Sequence, residues 1–116
     1  MLASDNKFLH FSSSIRRINR RYKLHDPKAV MILETVLSAY ADKVTLTVLD
    51  LILMKEIASQ ATLHSVLKDL IENKLIKTEI SKQDGRRKFV LPAKLGFSWL
   101  KDCSEALSTT TRKSAP

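Results

Sequence analysis

The chain has 116 residues, 44% hydrophobic and 28% charged, with only two glycines and three prolines, the composition of one ordered, helix-rich domain too short for a roomy cleft between lobes. Twenty Lys and Arg stand against twelve Asp and Glu, a net charge of +8, which favours a polyanionic partner through long-range attraction and counterion release. The single cysteine, Cys103, excludes an intrachain disulfide framework and a Cys-based metal cluster and fits a reducing cytoplasm.

The basic excess sits at the two ends. Residues 1–27 hold six basic and two acidic residues, 28–74 five and six, and 75–116 nine and four. The opening Met1-Leu2-Ala3-Ser4-Asp5-Asn6 lacks the basic start and apolar run of a signal peptide. The most apolar-rich stretch, Val44 to Met54, is too short to span a bilayer and reads as core.

From the N-terminus, Phe8, Phe11, Ile15, Ile18 and Tyr22 recur at alternating steps of three and four, one apolar stripe on a first helix. Two readings stay open: packing on the chain's own domain, or a contribution to a dimer interface. Arg16, Arg17, Arg20 and Arg21 on its other faces are phosphate contacts, a solvated face, or anchors for acidic residues of a partner subunit. Asp26-Pro27 marks the start of a second helix, from about Lys28 to Asp42, because Pro is preorganised at the first helical position and Asp caps free N–H groups. Its buried side carries Val30, Leu33, Val36, Leu37 and Tyr40.

Val44-Thr45-Leu46 reads as a short β-bridge. Thr47 then caps a third helix to about Met54, although Val44, Leu46 and Val48 also alternate as a strand would. Ser59 caps a fourth helix, 59–74, with Leu63, Val66, Leu67, Leu70 and Ile71 inward and Gln60, Thr62, His64, Ser65, Lys68, Asp69 and Glu72 outward. Lys74 to Ile80 alternates in the β manner, Asp84-Gly85 is a hairpin turn, and Lys88-Phe89-Val90-Leu91 returns as the second strand. Pro92 ends it. A last helix from about Ala93 to Ser108 presents Leu95, Trp99, Leu100 and Leu107, and residues 109–116 lack apolar periodicity and read as a mobile tail. The expected fold is mainly α with a small β-hairpin, a winged helix-turn-helix in the order α-α-β-α-α-β-β-α, as a single domain over 1–108.

A helix, a tight connection, a second helix with short polar outward residues and a basic hairpin make a DNA-reading surface, with the second helix in the major groove and the wing, 81–88, on the backbone or minor groove. Ala61, Thr62 and Ser65 are small enough for close approach. Gln60 can bond a base edge bidentately, and Lys68 can reach phosphate. The stretch Ser59-Gln60-Ala61-Thr62-Leu63-His64-Ser65-Val66-Leu67-Lys68-Asp69-Leu70, followed by Asp84-Gly85-Arg86-Arg87-Lys88, resembles MarR-type transcriptional regulators over roughly Pro27 to Leu107.

The resemblance implies a winged-helix homodimer that reads a pseudo-palindromic operator, with the outer helices as the dimer interface; Phe8, Phe11, Ile15, Ile18, Tyr22 and Trp99 fall on those helices. It also implies that Asp84 orients Arg86 for the minor groove. Lys82, Arg87 and Lys88 join as phosphate contacts on charge grounds. The chain departs from the pattern at Lys55-Glu56-Ile57-Ala58 and at Asn73-Lys74, where the family has glycines, although Asn73 is able to take the left-handed conformation of the second, and at Leu91-Pro92, where the family has Leu-Thr. Its outer helices are short, which leaves little room for the small-molecule effectors that the resemblance implies.

Other signals are weaker. His64 reads as a base contact or as a surface histidine without a role. His10 and His25 have no ligand at metal spacing, and Cys103 reads as a buried, unreactive thiol in preference to a redox sensor, since no second Cys can resolve it. Ser12-Ser13-Ser14 has no base at catalytic position, so no enzyme and no cofactor are expected. The leading expectation is sequence-specific double-stranded DNA binding by a homodimeric regulator, acting as a repressor. Two alternatives are a winged helix used as a protein-interaction module and a non-regulatory DNA-binding protein of replication, partition or chromatin architecture.

Overall fold

The computed structural model describes the backbone of residues 2–83 and 85–113, with side chains over 6–83 and 85–110. In chain order the elements are α1 (Leu2–Arg21), α2 (Pro27–Ala41), β1 (Leu46–Thr47), α3 (Val48–Ile52), α4 (Gln60–Glu72), β2 (Ile76–Ile80), β3 (Lys88–Pro92) and α5 (Lys94–Lys113). The strands form one antiparallel sheet in the order β1-β3-β2. Thr78 opposes Val90 across the hairpin, and Leu46 opposes Val90 from the other side.

Local chemistry sets the helix starts. The Asp26 carboxylate accepts from the Lys28 backbone N–H at 2.9 Å with Pro27 in the first turn, and that hydrogen bond holds the carboxyl below its ordinary pKa. At α3, Thr47 Oγ1 accepts from Asp50 N at 3.1 Å while Asp50 Oδ2 accepts from Thr47 N at 2.9 Å, a reciprocal cap that holds even a five-residue helix in place. Ser59 Oγ accepts from Thr62 N to open α4.

One core joins all the elements. Ile32, Leu33 and Val36 of α2, Leu51 of α3, Leu63 and Leu70 of α4, and Leu75 and Ile76 at the start of β2 are almost wholly buried. The burial of apolar surface here is the main stabilising force. Gly96 lets α5 press against the backbone at Leu75: a Cβ there would collide with the Leu75 carbonyl oxygen, which already accepts from Ala93 N at 3.0 Å.

The observed bounds correct several expectations. Helix α1 begins at Leu2, before Phe8, and α5 runs on through residues 109–113. No Gly or Pro interrupts the chain between Gly96 and Pro116, so the backbone ladder continues without an apolar stripe, and Thr110 Oγ1 donates to the Ala106 carbonyl one turn back. Residues 114–116 of the expected tail lie outside the described residues. Tyr40 and Ile71, expected inward, are 53% and 40% exposed, each in the last turn of its helix, and the Tyr40 ring meets Phe97 of α5 edge-on at 5.2 Å. The left-handed residue after α4 is Lys74 (φ 61°), whereas Asn73 keeps φ −85° as the C-cap. Lys43 is also left-handed (φ 58°) and leaves Val44 exposed, so β1 is confined to Leu46–Thr47.

Helices α1 and α5 pack along one another and give the molecule an extent of 56 Å against 26 and 22 Å. Its radius of gyration, 16.3 Å, exceeds the roughly 13 Å of a compact chain this long.

Candidate nucleic-acid interface

The apolar stripe of α4 decides what its outer face can do. With Leu63, Val66, Leu67 and Leu70 all buried at 6% exposure or less, the helix is rotationally locked, and Ser59, Gln60, Ala61, His64, Ser65 and Lys68 are exposed together. Thr62 is half-buried, its hydroxyl accepting from Ser59 Oγ at 3.0 Å. It therefore belongs to the cap more than to the open face. The connection of residues 53–59 replaces a glycine turn with stacked tight turns, Lys55 N donating to Leu53 O and Ile57 N to Met54 O. Half-buried Ile57 and Ala58 anchor it on the core.

The hairpin stands beside this face. Lys82, Arg86, Arg87 and Lys88 are all exposed, and Asp84 lies outside the described residues. Ser81 N donates to Arg87 O at 2.9 Å, closing the base of the turn. The Arg87 guanidinium rests 5.8 Å from the centroid of the Phe89 ring, a cation–π contact that steadies one wing cation. Nothing in the basic run itself marks that contact; it depends on Phe89 being a β3 residue two places after Arg87.

Helix and wing meet over a shallow cleft of about 500 Å³ whose walls include His64 and Lys68 of α4 and Lys88 of β3, above Leu67, Ile76 and Val90. Of the basic residues expected to face a polyanion, Lys68 and Lys88 thus share this cleft, with Glu72 also in its lining, while Arg86 and Arg87 join Lys88 in a neighbouring hollow against Leu49 and Asp50. Among the described residues no group of three or more His, Cys, Asp or Glu could hold a metal ion, and no helix is long and apolar enough to cross a membrane.

The residues expected at a dimer interface separate into two sets. Ile18 and Trp99 are 5% and 4% exposed within this one chain, which corrects their assignment: the α1–α5 seam consumes them. Trp99 Nε1 donates to Asn19 Oδ1 at 2.7 Å, and Tyr22 OH donates to Asp102 at 2.6 Å. That bond, with burial and the nearby Asp102 charge, raises the Tyr22 pKa. Ile15 and Tyr22 pack partly on the same core, Phe11 is half-buried, and Phe8 is 70% exposed. Cys103 sits half-buried on α5, and burial followed by the Asp102 charge pushes its thiol up to about 11, as expected of an unreactive cysteine. The groove of about 760 Å³ between α1 and α5 is lined by charged groups, Arg17, Arg20, Arg21, Asp102 and Glu105 among them.

No protein-family model matches the chain, and no curated protein matches it in sequence. Solved structures do match in fold. The chain is similar to MepR of S. aureus in a DNA complex, at TM-score 0.76 and 16% identity, over 97% of this chain and 79% of that one. It is also similar to the transcriptional regulator Tm0710 from Thermotoga maritima, at TM-score 0.71 and 14% identity, over 97% and 74%. The heme sensor protein PefR from Streptococcus agalactiae, in complex with heme, matches at TM-score 0.59 and 17% identity over 93% and 69%. The fold is the MarR-type winged helix with its three-stranded antiparallel sheet.

Proposed function

We propose that the chain is a double-stranded DNA-binding transcriptional regulator that reads sequence with α4 in the major groove, grips the backbone or minor groove with the wing, and acts as a homodimeric repressor. The carrying observation is the exposed polar face of α4, locked by its buried stripe, beside a basic wing. The MepR structure of the same fold in a DNA complex supports this reading.

On it, Gln60 reads a base edge, Ala61 and Ser65 permit close approach, Ser59 and His64 border the groove, and Lys68 and Lys88 meet phosphate from opposite walls of the cleft. Lys82, Arg86 and Arg87 supply the wing contacts, with Asp84 orienting Arg86. For the dimer, support comes from the open ends of the two long helices, where Phe8 and Leu9 are 70% and 51% exposed. Together α1 and α5 reach well past the core.

Salt titration of duplex binding tests the assignment. Replacing Arg86→Ala and Arg87→Ala together is expected to lower the slope of log affinity against log salt by about two, one phosphate contact each. An unchanged slope and affinity would remove the wing from the interface.

A further inference from the structure

Arginine is distributed unlike lysine in this chain. Of seven arginines, four lie in α1 (Arg16, Arg17, Arg20 and Arg21), two in the wing, and one at Arg112, whereas the thirteen lysines are scattered from Lys7 to Lys113. The planar guanidinium fork matches phosphate oxygens bidentately, which an ammonium cannot do. A face that only needed solvation would be served equally by lysine.

At 3.6 residues per turn the four α1 arginines occupy a sector of about 140° centred opposite the Ile15, Ile18 and Tyr22 stripe, and Arg17, Arg20 and Arg21 also border the open α1–α5 groove. All four are exposed. Arg16 Nη1 donates to Ser12 Oγ at 2.9 Å, and Arg17 donates to Ser13 Oγ at 3.0 Å and to Ser14 Oγ at 3.2 Å. The serine triplet thus lays two guanidiniums along the helix and spends none of their charge. Among the described residues Arg21 is the one of these four that reaches a carboxylate, Asp102 at 3.8 Å; Arg16, Arg17 and Arg20 have no acidic partner there within ion-pair distance. Their charge is available to an anion from outside.

The second location rich in arginine is the wing, and the two differ in place. Helix α1 packs on α5, whereas α4 packs on α2, α3 and β2, in a molecule 56 Å long. We infer that the arginine face of α1 is a second phosphate-backbone contact surface, holding a stretch of duplex DNA beyond the one under α4 and the wing. This rests on the DNA-binding reading above. Residues 16–21 span about 7.5 Å of helix axis, enough for two to three phosphates of one strand with side-chain reach, or roughly two from the salt slope.

The experiment compares wild type with Arg16→Gln, Arg17→Gln, Arg20→Gln and Arg21→Gln combined; glutamine has nearly the helix propensity of arginine. Salt titrations are run on a short duplex holding only the recognised site and on a long duplex carrying it with several turns of flanking sequence. On the long duplex the variant is expected to lose about two from the slope, and on the short one to match wild type closely. Arg→Lys at the same four positions keeps the charge and restores the slope in large part. An unchanged slope on the long duplex overturns the inference, and so does an equal loss on both lengths, which would be a general effect of net charge. Wild type that binds neither duplex would instead overturn the DNA-binding reading itself.

Discussion

Helices α4 and α1 are both amphipathic, and they complete themselves differently. The stripe of α4 is consumed inside the chain, with Leu63 at 0% exposure and Leu70 at 1%, so its opposite face is fixed and free for a ligand. The stripe of α1 is consumed only toward its C-terminal end: Ile18 is 5% exposed, while Phe8, three turns earlier, is 70% exposed. One helix is a finished part of the fold that presents a surface. The other is finished at one end, and its N-terminal half calls for a second body, which the proposed homodimer provides.

Substitutions can break or sharpen this contrast. Leu63→Ala should have the largest effect, about 2–5 kcal/mol of unfolding free energy by denaturant titration, because a fully buried leucine leaves a cavity. Ile18→Ala should cost a similar amount, and a cost below about 0.5 kcal/mol would show that the α1 stripe is not core even at its C-terminal end. Gln60→Ala should leave stability alone and reduce discrimination between matched and mismatched duplexes by about 1–3 kcal/mol, measured by competition binding. Equal affinities before and after would leave α4 a passive strut.

Smaller effects follow. Ser59→Ala removes the cap of α4 and should lower stability by about 1 kcal/mol in thermal or denaturant melts. Phe8→Ser should change the stability of the folded chain by less than about 0.5 kcal/mol while shifting sedimentation toward the monomer; a loss as large as that of Ile18→Ala would erase the distinction between the two ends of α1. The smallest effect lies at the junction of α1 and α2. Since the Asp26 pKa is lowered in the folded chain, its stabilisation is fully present above the ordinary carboxylate pKa near 4 and fades as the pH falls through the lowered value. Asp26→Asn should flatten stability against pH only in that acidic window.

Much of this was legible in residue spacing because the decisive interactions are local. The α4 stripe from Leu63 to Leu70 and the caps at Asp26, Thr47 and Ser59 each declare themselves within four residues. What escaped depends on distant partners. Trp99 is buried because Asn19 and Ile18 come from eighty residues away, and neither strand periodicity nor helix periodicity records that meeting. Ile71 and Tyr40 fall in the last turns of their helices, where apolar spacing alone does not record exposure, and the left-handed residue is Lys74, one place past the Asn73 cap, where Leu75 N donates to Leu70 O at 3.0 Å. Within the candidate site, the polar face of α4 was readable as a pattern. The tie of Thr62 to Ser59 and the seat of Arg87 over Phe89 needed the fold.

The most direct test of the central claim is selection of bound sites from a pool of random duplexes by the full chain. A sequence-reading α4 in a homodimer predicts enrichment of one inverted repeat whose half-site centres lie about one helical turn, or a multiple of it, apart. Uniform recovery without enrichment, or no retention of duplex at low salt, would contradict it.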